Sequence, residues 1–143
     1  MSGASFTSEL DLHEARAAFA RLTDDQLRKV VDNIGEMIEN QTKQRIQTEK
    51  SSPDGEAWAP WSAEYARLRS GGHSLLENQG HLLTSIANRS SGMEAIVGTD
   101  VPYGATHQFG RDGIPARPYL GLTGENREEI ERLVLGGLAA LLT

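Results

Sequence analysis

The stretch YGATHQFGRDGIPARPYLG, Tyr103 to Gly121, constrains this chain's fold more tightly than any other part of the sequence. Gly104, Gly110 and Gly113 open backbone conformations that other residues avoid, while Pro115 and Pro118 push Ile114 and Arg117 toward extended backbone. Pro102 sits where a helix can begin, because its fixed φ suits the first turn and its missing N–H is no loss there. A short helix carrying Tyr103, His107 and Gln108 is therefore expected, stopped by Gly110. An ordered excursion follows, and then a strand from Pro118 to Leu122.

Upstream, Leu12, Ala15, Phe19 and Leu22 recur at helical spacing. Thr23-Asp24-Asp25-Gln26 reads as a capping box that opens a long helix, Asp24 to about Thr48, roughly 37 Å at 1.5 Å per residue. Leu27, Val30, Val31, Ile34, Met37, Ile38 and Ile46 form its apolar stripe. Its last turns, Gln41 to Gln47, are mostly polar and read as a solvated end projecting from the body, or as an arm for a partner.

The Glu49–Pro60 loop is signalled by Ser51-Ser52-Pro53-Asp54-Gly55. Trp58 and Trp61 bracket Pro60, and large apolar rings so placed pin a loop to a core. Ser62 can cap a helix through Tyr65 and Leu68. Ser70-Gly71-Gly72-His73 is a flexible break, after which Leu75, Leu76, Leu82, Leu83 and Ile86 flank Gln79-Gly80 as two apolar pieces. Ile86–Ser90 and Glu94–Gly98 read as strands of a hairpin. Thr123 can cap a final helix with Glu125 in its first turn and Ile130, Leu133, Val134, Leu138, Leu141 and Leu142 on its apolar face. Gly136-Gly137 within it implies a close backbone neighbour or a bend.

The formal net charge is -6 with both signs interspersed, and no basic run tracks a phosphate backbone. Tight DNA binding by the monomer is not expected from this charge. With no cysteine, disulfides and thiol chemistry are absent. No basic-then-apolar leader and no membrane-length apolar run stand out, so a protein made in the cytoplasm without membrane contact is expected.

Few residues point to chemistry. His107 could act as a general base, with Arg117 beside it in the kinked segment of a small hydrolase. No nucleophile elbow accompanies them. His73 and His81 lack the spacing of a helical zinc site, and the glycine pairs lack a phosphate-loop ending. Arg111 and Arg89 are scattered cations. Arg117, between two prolines, is better suited to a bidentate ion pair with a carboxylate, and no catalytic residue, cofactor or metal is assigned.

Y-G-A-x-H-Q-x-G followed by P-A-R-P-Y-L-G-L, with Gly55, Trp58 and Pro60 in a G-x-x-W-x-P pattern upstream, resembles the phage virion morphogenesis family of Mu-like and P2-like tailed phages. The resemblance implies an α+β fold: N-terminal helices including one long helix, a small antiparallel sheet and a C-terminal helix. It implies a flexible segment over residues 1–10 and one tail-completion domain over 11–143. The expected role is a structural neck component of the virion, forming a hexameric ring that completes the tail and enables head-tail joining, or else a transient assembly factor. Its partners would be other copies, the tail tube protein and a head connector or stopper, with genomic DNA only passing through the lumen. Trp58, Trp61, Tyr103, His107, Phe109, Arg117 and Tyr119 are the expected fold or assembly contacts.

Overall fold

The computed structural model describes residues 16–68, 75–76, 81–91 and 93–142. Its spine is a helix over Asp24–Gln44, labelled α2, which follows a short helix α1 over Arg16–Phe19. The capping box forms: Thr23 Oγ1 accepts from the Gln26 N–H at 3.2 Å, and Gln26 Oε1 accepts from the Thr23 N–H at 3.0 Å. Asp24 and Asp25 add negative charge at the positive helix end. At its far end α2 passes into a π-helical turn, Arg45–Glu49, closed by Lys50 in the left-handed region at φ 53°.

Four more helices follow: α3 over Ala63–Leu68, α4 over His81–Ser85, α5 over Gly104–Phe109 and α6 over Gly124–Leu142. Strands β1, Ala87–Asn88, and β2, Val97–Gly98, pair antiparallel with Ala87 opposite Gly98. The fold is α+β, with the sheet reduced to this hairpin among the described residues. α6 and the hairpin both pack against α2. Gly35 allows the second approach, because a Cβ there would stand 2.2 Å from Asn88 Oδ1 and 2.3 Å from Ser90 Oγ.

The core has two apolar clusters. One joins Val30 of α2 to Ile130, Val134 and Leu138 of α6, with Phe19 and Leu22 packed against them. The other gathers Ile46, Trp58, Leu82, Ile86, Tyr119 and Leu120. Each side chain so buried contributes about 1.5–3 kcal/mol.

The end of α2 departs from expectation. Gln41, Thr42, Arg45 and Ile46 are buried, so these turns neither project nor sit in solvent. The row Val30, Ile34, Ile38 continues at a spacing of four into Thr42 and Ile46, and Met37 continues into Gln41 and Arg45, which carries polar side chains onto the buried face. They persist there because they are hydrogen-bonded. Arg45 donates to Tyr119 O at 2.6 Å and to Asn126 Oδ1 at 2.5 Å, while Gln41 Nε2 donates to Asn126 O at 3.1 Å. Asn126 in turn closes a cap with Thr123: each side-chain oxygen accepts from the other residue's N–H, at 2.9 and 3.0 Å.

The strand expected from Pro118 to Leu122 does not form. Pro118 has no N–H to give, and the neighbouring ones are taken by α5: Arg117 N–H donates to His107 O at 2.7 Å, and those of Tyr119 and Leu120 both donate to Gln108 Oε1 at 3.0 Å. One glutamine replaces a partner strand. At Gly136 and Gly137 a Cβ would meet nothing within 4 Å among the described residues, so of the two expectations, a close backbone neighbour or a bend, the close neighbour is not found among them. The expected positions Leu12 and Ala15, the Ser70–His73 break and the Gln79-Gly80 turn lie outside the described residues.

Candidate assembly surface

The expected contact residues divide into two groups. Tyr119 is fully buried: its hydroxyl donates to Gly104 O at 2.8 Å, and burial pushes its phenol pKa up, so it stays neutral. Trp58 is buried beside it and donates its indole N–H to Pro118 O at 2.8 Å, pinning the 50–60 loop as the paired tryptophans suggested. Arg117 is buried too, but the carboxylate expected for it is absent among the described residues. Its fork donates instead to Ala59 O at 2.7 Å and Pro60 O at 3.0 Å, two loop carbonyls that would otherwise need water. Trp58 and Arg117 thus clamp the same loop to the 117–119 segment.

The second group faces outward. Phe109 is 65% exposed and Tyr103 42%, and Ile114 is exposed as well. Gly110, at φ 76°, lets the chain leave α5 into a tight turn in which Arg111 and Ile114 exchange backbone hydrogen bonds at 3.0 and 2.7 Å. A Cβ at Gly110 would press on Ala116 N at 2.9 Å, so the turn closes tightly on its own base. Trp61 is half-buried and lies 6.0 Å from the exposed Tyr65 ring.

His107 stands between the groups. Its ring meets Tyr103 edge-on at 5.8 Å, and its buried Nδ1 has no hydrogen-bond partner among the described residues. Burial, and then the Arg117 charge, lower its pKa below the ordinary 6.5, so the imidazole is neutral near pH 7. Arg117 is thus committed to loop carbonyls, while His107 packs against an aromatic ring.

Gln108 and Arg45 carry the framework of this surface and were not singled out from sequence. Gln108 lay inside the H-Q motif but gave no sign of facing two consecutive N–H groups. Arg45 was legible only by continuing the i, i+4 row of Met37. Away from this surface, the groove between α2 and α6, about 480 Å³, is lined by Glu36, Glu49 and Glu129 among amide side chains, a charge that repels phosphate.

The family model described as the phage virion morphogenesis family matches residues 10–139. The chain belongs to that family. Curated relatives accompany the match. The chain is 44% identical over 57 residues to the Mu-like prophage FluMu G protein 2 of Haemophilus influenzae, 35% of this chain and 41% of that protein. It is 30% identical over 101 residues to the putative capsid assembly protein G of Escherichia phage Mu, 62% of this chain and 65% of that protein. To the tail completion protein S of Escherichia phage P2 it is 27% identical over 126 residues, 78% of this chain and 83% of that protein. The matches thus span less than two thirds of the two Mu-type relatives and most of the P2 protein. No solved structure matches. Among the described residues of this virion morphogenesis protein, no helix is long and apolar enough to cross a membrane.

Proposed function

We propose that this protein is a structural component of the neck of a tailed phage, completing the head-proximal end of the tail and readying it for the head. Copies close into a ring, hexameric to match the tail, through one heterologous contact used repeatedly. The tail tube protein lies on one side of the ring, the head connector or stopper on the other, and genomic DNA passes through the lumen. The subunit is made in the host cytoplasm and carried in the virion.

The observation that carries this reading is the family match over residues 10–139, extended by similarity over most of both chains to a relative named tail completion protein S. Subunit geometry is compatible with it. Trp58, Arg117 and Tyr119 hold a rigid body, while Tyr103, Phe109 and Trp61 with the 110–116 turn supply contacts to a neighbour, and His107 backs that surface. Light scattering across a concentration series, alone and with isolated tails lacking the protein, tests the proposal. A fixed ring mass, in solution or on tail ends, is expected; a monomer that never associates with tails would sink it.

A second reading, a transient assembly factor, is favoured by the name of the phage Mu relative, a putative capsid assembly protein. It predicts that mass spectrometry of purified particles lacks the protein.

A further inference from the structure

An apolar hollow of about 260 Å³ opens between α2, the β1–β2 hairpin and the 120–122 segment. Ile34, Ile38, Val97, Leu120 and Leu122 line it, and Met93, 54% exposed, stands among the lining residues on the hairpin side. The volume falls below the roughly 300–1,000 Å³ of sites that enclose drug-sized ligands and suits a single large side chain. Such a side chain exists in the same molecule. Phe109 has the greatest exposure of the large apolar residues described, so it does not fill its own subunit's hollow, and it projects beside a turn held by its own hydrogen bonds.

We propose that Phe109 of one copy seats in this hollow of a second copy, and that this is the repeated contact of the ring. Knob and hollow are built from different residues, so the contact is heterologous and propagates until the ring closes. Charge fixes its direction. Glu94 lies between two residues that line the hollow, Met93 and Ala95, while Arg111 follows Phe109 by two residues; all of Met93, Glu94 and Arg111 are exposed. Seating the ring therefore brings Arg111 toward Glu94 at the rim. A central apolar anchor surrounded by a charged rim is the pattern in which one residue dominates the binding energy.

The inference rests on the ring reading, and the experiments separate the two. Phe109→Ala removes an exposed side chain, so the subunit's melting temperature should not change while association weakens by roughly tenfold or more. Glu94→Arg and Arg111→Glu should each weaken association, and the two together should restore it. Because the chain has no cysteine, a Met93→Cys copy mixed with an Arg111→Cys copy under oxidation should give a cross-linked pair, which no contact within one copy can produce.

If wild-type rings form and Phe109→Ala forms them equally well, the inference is overturned and the neck reading stands. The same follows if rings form but the mixed cysteine copies stay uncross-linked, or if Phe109→Ala rings assemble and merely fail to seat on tails, which would assign Phe109 to a tail protein. Wild-type protein that never associates, alone or with tails, overturns both.

Discussion

Arg45 is a guanidinium with no exposed surface, and burial lowers its pKa while the Glu49 carboxylate opposes the shift. Its two hydrogen bonds decide whether so costly a burial is worthwhile. Bonds to charged groups are worth about 1.5–3 kcal/mol each, and their loss removes this donor from Tyr119 O and leaves Asn126 Oδ1 with the Thr123 N–H. Arg45→Met retains much of the stem volume and should lower unfolding free energy by about 2–4 kcal/mol, read as a fall in the urea midpoint at constant m-value. A neutral or stabilising result would mean desolvation outweighs the bonds, as for some buried ion pairs. His107 yields a pH prediction. Its folded pKa is depressed, so the unfolded chain binds the proton more readily, and this group's contribution is complete above pH 6.5 and falls away as pH drops below that value toward the folded pKa. The melting temperature should decline on acidification below about pH 7, and His107→Gln, which cannot titrate, should remove part of that decline. An unchanged slope would assign the effect to carboxylates.

Among the elements, α2 shows how local preference and tertiary contact compete. Alanine is favoured over glycine by about 1 kcal/mol inside a helix, so Gly35→Ala would stabilise α2 in isolation. In the protein its Cβ would strike Asn88 and Ser90. Asn88 cannot swing aside freely, because its amide donates to Asp32 Oδ1 at 2.9 Å and its backbone N–H to Glu39 Oε1 at 2.7 Å. Overpacking costs about 1–3 kcal/mol, so the net effect should be a lower melting temperature, with hydrogen exchange speeding in the hairpin before α6; a higher melting temperature would show that the hairpin yields. Elements with a local signal were legible in the sequence: the N-caps Thr23, Ser62 and Thr123, the helical rows of α2 and α6, the hairpin and the short helix before Gly110. The π-turn, the burial of Gln41 and Arg45, and the missing strand at Pro118–Leu122 were not. The buried side chains and the missing strand depend on partners 10 to 85 residues away, and the pattern within a window records only which face a residue takes. Of the candidate surface, the residues were legible but their division into buried clamp and exposed knob was not, since Tyr119 and Phe109 look alike as sequence.

At the scale of the whole molecule, the proposed ring would make that division one between folding and assembly. Tyr119→Phe removes the hydroxyl's bond to Gly104 and should cost about 1 kcal/mol of subunit stability while leaving folded copies able to associate. Phe109→Ala should do the reverse, and a single thermal and light-scattering series on both variants would distinguish them; loss of association in both would tie the two processes together. The two tryptophans, Trp58 and Trp61, happen to lie on either side of this divide. Trp58 is enclosed, with its indole N–H bonded to Pro118, whereas Trp61 is half open beside Tyr65. Intrinsic fluorescence therefore carries two separable channels: a red-shifting component that follows unfolding, and an iodide-quenchable one that dims or brightens as a neighbour covers the 61–65 face. Ring closure could be timed in unlabelled protein, with the fold monitored in the same trace.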